Sequence, residues 1–530
     1  MDELAGEQNT PETSTIAESD PAVSPPHASL PEASLPSAAL PTEPAAFVRT
    51  STVAEREAAG RGARIHRPRT SIAGFMPAAS RPNPVVLLEG QETVRMPALL
   101  PLRHERMSAS PFTFYRGSAV IMTADLASMP DTGLVTQLCG DAHLSNFGLF
   151  AAPDRSVIFD VNDFDETNPG PFEWDVLRLS TSFVLAGRDL GLGDAECSAA
   201  ASGAASAYRL QMQKYAQMAD LAIWYDRVGV DVLIEWAKEQ DTPDAQRRIE
   251  RGVSKARSRD AWSAVEKMTE MIGDRRQFKD LPPLLMRIPL DDRLAARINA
   301  LLMQYKQTLP HDRQVLLNRY EVVDLGHKVV GVGSVGLLAF VVLLQGRDEN
   351  DLLVLQVKQA VASVLEPVTS VSAEVMSGQR VVYGQQLMQA ASDVFLGWIR
   401  GPGGRDYYIR QLRDMKFAPD PASLDASSLA GYATICGRTL ARGHARGGDA
   451  VAIATYLGSS TKFDRAVRDF SLTYADQVAR DFAAYQAAIA SGSVHVAAPG
   501  EGANYRFTVT AAGGFDIESS GMSPATPAAG

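Results

Sequence analysis

The residues with the clearest chemical content lie in C-G-D-A-H-L-S-N-F-G (139–148) and N-D-F-D-E (162–166). Asp141 and Asn146 are five apart, and Asp163 follows 22 residues after Asp141. Transfer of the terminal phosphoryl group of ATP uses an Asp, an Asn and a second Asp in this order. The first orients a hydroxyl, and the other two hold Mg²⁺. His143, between them, has two readings: a helper on the phosphate, or a hydrogen-bonder within the loop. Asp160, Asp163, Asp165 and Glu166 put four acids within seven residues, which repel one another unless a cation or an arginine neutralises them. Alone, this run reads as an exposed acidic turn. Joined to the Asp141–Asn146 loop, it reads as a Mg²⁺ site with Asn146, Asp163 and Asp165 as hard oxygen ligands.

A second set follows at Gly331-Val-Gly333-Ser334-Val-Gly336. A strand, Ala339–Leu344, is expected after it rather than a helix. That disfavours a dinucleotide-binding turn and favours a glycine-rich hairpin whose N–H groups lie over phosphates. In Leu352–Ala360, Leu353, Leu355 and Val357 alternate with Val354, Gln356 and Lys358, a strand pattern that sets Lys358 opposite the apolar face. A lysine on the strand after such a hairpin suits ATP phosphates; the plainer alternative is an exposed edge-strand lysine. Glu366 and Glu374 are both candidates for its partner.

The elements that must position these residues are legible in part. Strand-like runs at Leu134–Leu138 and Val157–Val161 flank the first loop, and a helix is expected over Trp174–Arg188, with Asp175 near its start bracing that loop. A stretch at 196–310 is expected to be mostly helical, its basic run from Arg247 to Arg259 a solvated face. After the lysine strand come a helical stretch, Ser372–Ala391, and strand-like runs Val394–Ile399 and Tyr407–Leu412. In Leu429–Arg446, Leu429, Ala433, Cys436, Leu440 and His444 share one helix face, with His444 read as a core residue.

The divisions read from this pattern are a disordered tail at 1–48, a basic arm at 49–84 and a large-lobe-like segment with a helical insertion at 85–310. A small-lobe-like β-rich segment at 318–416, closing helices at 420–492 and a frayed tail at 496–530 complete them. The arm, with Arg49, Arg56, Arg61, Arg64, Arg67 and Arg69, is either solvated or folded over an anionic site. Arg103, Arg106 and Arg116 suit phosphate or the acids at 160–166.

The net charge of −11 gives no general attraction to nucleic acid or anionic lipid. No run reaches the ~18 apolar residues of a membrane span. Three scattered cysteines make neither a metal-ligand spacing nor a disulfide framework, and a cytoplasmic location is expected. Cys139 reads as a small buried strand residue.

Over most of residues 60–490 the chain resembles the bacterial domain-of-unknown-function family twenty-two fifty-two. The resemblance rests on S-P-F-T-F-Y-R-G (110–117), G-D-A-H-L-S-N-F-G (140–148), N-D-F-D-E-T-N-P-G-P-F-E-W-D (162–175), K-V-V-G-V-G-S-V-G (328–336), Q-V-K (356–358), L-M-Q-A-A-S-D-V-F-L-G-W (387–398) and L-A-R-G-H-A-R-G-G-D (440–449). Gln359 stands where members more often carry Glu. More distantly the chain is similar to aminoglycoside and choline phosphotransferases of the protein-kinase-like fold. Their H-G-D-x-x-x-x-N loop matches at Asp141 and Asn146, with Cys139 for His, and Asp163 and Trp174–Asp175 match the later positions. In that group the glycine loop and lysine come first, whereas here they follow the catalytic loop by about 190 residues. A circular permutation accounts for this, because the helix that precedes the catalytic loop in the group is matched here by Leu429–Arg446. The resemblance implies an α+β, two-lobed, kinase-like fold in permuted order, binding ATP and Mg²⁺.

The leading expectation is a phosphotransferase, or a nucleotidyl transferase on the same scaffold, acting on a hydroxyl of an unidentified small-molecule or protein acceptor. Asp141 and His143 would be catalytic, and Gly331, Gly333, Ser334, Gly336 and Lys358 would hold the nucleotide. Alternatives are a metal-dependent phosphoesterase, for which Gly140-Asp141-Ala142-His143 is a partial match, and a non-catalytic nucleotide-binding module.

Overall fold

The computed structural model describes residues 51–239, 243–258, 261–273, 275–282, 284–329, 331, 333–369, 375–412, 415–498, 505–509 and 515–519. The tail at 1–48, Arg49, Arg259 and most of the tail at 496–530 lie outside these residues. Helices and a large antiparallel sheet make up the described chain, with helices also standing between some strands of the sheet, an α+β arrangement.

Helix α1 (Val53–His66) starts at a capping box between Thr52 and Glu55. It lies on the helix Ala450–Leu457 so closely that a Cβ on Gly60 would sit 2.3 Å from the Ala452 carbonyl. The basic arm is therefore a docked element. Arg64 donates to the carbonyls of Thr455 and Tyr456, and Arg69 to that of Leu457. These are the last carbonyls of a helix, which have no partner within it. Arg67 forms a buried ion pair with Glu173 at 2.8 Å.

Helix α2 (Pro111–Gly117) precedes strand β1 (Val135–Leu138). A hairpin of β2 (Phe147–Ala151) and β3 (Val157–Val161) follows, and β4 (Asn168–Pro171) returns to pair antiparallel with β1. Helix α3 (Phe172–Asp189) is buried along almost its whole length and packs on α4 (Asp194–Tyr215). The stretch at 196–310 is helical as expected but also contains strands. One of them, β5 (Leu285–Ile288), joins the main sheet, and α5 (Asp292–Lys306) covers that sheet with Ile298 and Tyr305.

The remaining strands of the sheet are β6 (Glu321–Lys328), β7 (Ala339–Gln345) and β8 (Leu352–Ala360). Helix α6 (Ser377–Met388) comes next, then β9 (Gly397–Arg400) and β10 (Asp406–Gln411). All neighbours are antiparallel, in the order β9-β10-β8-β7-β6-β5. On β8, Leu353 and Leu355 enter one apolar cluster and Val354 another, the alternation a pleated strand requires.

The last helices are α7 (Ala426–Gly447), α8 (Ala450–Leu457) and α9 (Lys462–Ala490), which return to α3 and α4; within the stretch expected to be a frayed tail, Tyr505–Val509 and Phe515–Ser519 pair as an antiparallel hairpin. Helix α7 lies against the alanine-rich α4, where a Cβ on Gly437 would fall 2.2 Å from the Ala204 carbonyl. Small residues let the two backbones approach, and α7 reaches the loop at 139–148 through Tyr432. Among the described residues no helix is long and apolar enough to cross a membrane.

Candidate functional site

The first loop leaves β1 through Gly140, whose φ is +81° and whose added Cβ would meet the Glu166 carbonyl at 2.1 Å. Only glycine fits there. Asp175, in the first turn of α3, accepts from Cys139 N at 2.8 Å and Gly140 N at 3.1 Å. His444 of α7 meets the same carboxylate at 3.2 Å and the Tyr208 hydroxyl at 2.8 Å. Both residues are buried, Asp175 as the brace of the loop and His444 within the core.

One turn along α3, Arg178 clamps Asp141 Oδ1 through Nε at 2.6 Å and Nη2 at 2.5 Å. Arg178 also lies over the Tyr115 ring at 4.3 Å and donates to the Tyr115 carbonyl at 2.9 Å. Burial raises the Asp141 pKa, with Arg178 opposing it. A carboxylate so raised remains a usable base near neutral pH. His143 Nε2 is 3.6 Å from Asp141 Oδ2, too far for a good hydrogen bond, and its enclosed Nδ1 has no hydrogen-bond partner. Burial, then Arg116 and Arg178, push the His143 pKa well below the usual imidazole range, so the ring is neutral. Asn146 Nδ2 donates to the Asp141 carbonyl at 2.9 Å.

The acids after β3 separate into distinct environments. Asp160 is buried against Arg442 at 2.5 Å. Glu166 accepts from Val364 N at 2.8 Å. Asp165 accepts from Lys358 Nζ at 2.9 Å, Ser334 Oγ at 3.0 Å and the Tyr408 hydroxyl at 2.6 Å. Burial works against its charge, but Lys358 and the Tyr408 hydroxyl outweigh it and hold its pKa at about 2. Asp163 is different: its Oδ1 is enclosed without a hydrogen-bond partner, while 38% of the side chain stays exposed. Burial and Asp165 raise its pKa. The Asn162 N–H donates to the Asn146 carbonyl at 2.7 Å and ties this run to the first loop.

Among the described residues no cluster of three His, Cys, Asp or Glu has metal-holding geometry. The Asp163 carboxylate and the Asn146 side-chain oxygen are hard donors, and Mg²⁺ commonly takes only one or two protein carboxylates, completing its shell with water and phosphate. The orphaned Asp163 oxygen fits such an ion; Asp165, expected as a third ligand, faces the lysine instead.

The loop between β6 and β7 carries Gly331 at φ +66° and Gly336 at φ +92°. Three arginines hold its carbonyls: Arg106 on Gly331 at 2.6 Å, Arg103 on Gly333 at 3.2 Å and Arg95 on Val335 at 2.6 Å. Arg103 and Arg106 thus serve the glycine loop rather than the acids at 160–166, and Arg95 joins them without any warning in the sequence. Burial and the neighbouring Arg103 push Arg95 down to about 9.

Lys358 is 5% exposed, and its Nζ lies 4.0 Å from Asp163 Oδ1 and 5.2 Å from the Tyr408 ring centre. Its charge is held by Asp165. Glu366 pairs with Arg380 at 3.0 Å, and Glu374 lies outside the described residues. A cavity of about 350 Å³ is bounded by Asp163, Gly331, Ser334 and Lys358, together with Phe150, Gln356, Arg410 and Lys416. The acid run after β3 and the glycine loop with its lysine therefore line one space, whereas Asp141, His143 and Asn146 are not among its lining residues.

The family model described as "uncharacterized protein conserved in bacteria (DUF2252)" matches residues 95–488, a range containing every residue of this site. No curated protein and no solved structure matches the chain.

Proposed function

The chain belongs to the bacterial family DUF2252, and for it we propose a Mg-ATP-dependent phosphotransferase of the kinase-like type, acting on a hydroxyl of a small-molecule or protein acceptor. The observation that carries the reading is the meeting of Lys358 and Asp163 at 4.0 Å across one cavity, with Ser334 of the glycine loop bonded to Asp165 beside them. Residues of this chemistry, brought from distant segments, suit a triphosphate and its cation.

The kinase-like fold in permuted order belongs to the same proposal. It is supported by the element order β6, β7, β8, α6, β9, β10, with the glycine loop between the first two strands and the lysine on the third. It is also supported by α7, whose Tyr432 hydroxyl donates to the carbonyls of Leu144 and Phe147 at 2.9 Å each. Three buried, unpaired cysteines support a reducing, cytoplasmic setting.

In the reaction, the Asp141 carboxylate orients the acceptor hydroxyl and receives its proton, while Arg178 fixes the carboxylate in place. Asn146 and Asp163 would hold Mg²⁺, which supplies charge neutralisation at the phosphate oxygens. Lys358 binds phosphate, and the carbonyl-held glycine loop covers it. Positioning and electrostatic stabilisation provide the rate. Asp141→Asn should keep Mg-ATP binding and lose ATP turnover. Unchanged turnover in that variant would overturn the assignment. So would Mn²⁺-dependent hydrolysis of p-nitrophenyl phosphate that ignores ATP.

A further inference from the structure

The basic run on the helix Pro243–Arg257, expected as a solvated face, has one side turned to a cavity. Arg248, Arg251 and Lys255 fall at spacings of three and four and so share that side. The cavity they line measures about 1030 Å³ and has no lining residue in common with the one that holds Asp163 and Lys358. Leu149 and Phe159 of the β2–β3 hairpin form its floor. The helices Val230–Glu239 and Pro243–Arg257 wall it on one side and α7 on another. Two aromatic rings seat on glycines here. A Cβ on Gly431 of α7 would lie 3.0 Å from the Trp236 ring, and one on Gly252 would lie 2.9 Å from the Phe417 ring. Leu149 and Phe417 exchange backbone hydrogen bonds at 2.6 and 2.9 Å, which fixes the segment carrying Phe417 to the hairpin.

The lining is mostly apolar, and its positive charge is gathered on one helix. Arg248 pairs with Asp425 at 2.9 Å. Lys255 Nζ lies 5.7 Å from the centre of the Phe417 ring. Among the described residues neither Arg251 nor Lys255 forms an ion pair. Asp420 is the one acid among the described lining residues. It accepts from Ala422 N at 3.1 Å and lies within electrostatic reach of Arg116. Glu250, on the same helix but outside the lining, accepts from Gln246 at 2.9 Å. Two cations one helical turn apart therefore border an apolar cavity. Small-molecule pockets are commonly about 300–1,000 Å³, largely apolar, with a few polar groups that fix orientation. A wholly apolar ligand would leave both cations unmatched, and a cationic one would meet like charge.

We propose that this cavity binds a small amphiphile, with a single anionic head group at Arg251 and Lys255 and an apolar body against Leu149, Phe159, Leu233 and Trp236. Removing the body from water drives binding, and the guanidinium and ammonium select the sign of the head. The site needs neither ATP nor Mg²⁺.

Dodecanoate and dodecyltrimethylammonium share a chain length and differ in the sign of the head, so they test the site on the full chain, below their micelle concentrations and without nucleotide. Calorimetry should find one equivalent of dodecanoate bound, roughly tenfold or more tighter than the ammonium. Arg251→Gln combined with Lys255→Gln, both at exposed positions, should weaken dodecanoate by roughly tenfold or more and leave the ammonium no weaker than before. Ala430→Phe fills the cavity from α7 and should abolish uptake of both; should it fail to fold, the charge variant decides alone. Equal affinity for the two heads, dodecanoate binding that survives the charge variant, or folded wild type that takes up no dodecanoate overturns the assignment. So does a dimer in sedimentation that Ala430→Phe dissolves, which would give the cavity to a second copy of the chain. None of these results alters what a Mg-ATP titration reads, so this site and the nucleotide site fail separately.

Discussion

Asp165→Asn is the most revealing single change for the architecture of the cleft. Asp165 accepts from Lys358, Ser334 and Tyr408, and the substitution keeps its shape while removing its charge. Lys358 would then be left buried, with Asp163 at 4.0 Å as its nearest acid. Removing one partner of a buried pair costs about 3–5 kcal/mol, and the remaining acid places this case near the lower figure. The pKa argument agrees. Asp165 falls from 3.8 to about 2 in the folded protein. At 1.36 kcal/mol per unit this is roughly 2–3 kcal/mol. Because the folded pKa is depressed, that stability is present above the unfolded value and is lost as pH falls through about 2. Urea titration of wild type and variant should therefore differ by about 3 kcal/mol at pH 7, with the gap closing below about pH 4. Asp165→Asn with Lys358→Met should recover part of the loss, since no charge is stranded. A gap below about 1 kcal/mol at pH 7, or one unchanged at pH 2.5, would refute the reasoning.

Other perturbations probe other parts. Gly140→Ala meets both a φ of +81° and the Glu166 carbonyl at 2.1 Å; calorimetry should find about 3 kcal/mol or more of destabilisation. Arg178→Met removes the one group that lowers the Asp141 pKa most, so the carboxyl stays protonated to higher pH. The acid limb of the turnover profile should move upward, and an unmoved limb would separate Asp141 from the reaction. Arg106→Ala frees the Gly331 carbonyl, and amide exchange across 331–336 should speed up about tenfold, as loss of a charge-assisted bond implies. Protection equal to wild type would mean that the loop holds itself. Asp175→Asn weakens its hold on Cys139 N and Gly140 N; a loss of about 2 kcal/mol is expected from denaturant midpoints.

What the sequence disclosed was chiefly local. Strands β3 and β8 match the expected Val157–Val161 and Leu352–Ala360, because a short apolar run marks the first and a period-two pattern the second. Strand β2 escaped notice since Phe147–Ala151 has a glycine at its second position and follows directly on the loop motif. Helix α1 reads as a charged arm because its arginines dominate the pattern. Its placement depends on Gly60 fitting against α8 and on carbonyls some 390 residues away. Likewise β5 is only four residues long, and its strand character comes from pairing with β6. For the candidate site, spacing singles out Asp141, Asn146 and Asp163, which one stretch of chain supplies. The Asp165–Lys358 and Asp165–Tyr408 bonds span 193 and 243 residues, and no spacing rule reports them. Arg178 had one signal: it stands three residues after Asp175, on the same face of α3.

Calorimetric titration of Mg-ATP into wild type, Lys358→Met and Asp163→Asn tests the central claim most directly. Wild type should bind one equivalent with a Kd on the order of 1 μM to 1 mM. Each variant should weaken binding at least tenfold, since the proposed site sets an amine from β8 and an acid following β3 only 4.0 Å apart. Folded wild type that takes up no nucleotide, or binding indifferent to both substitutions, would contradict the account.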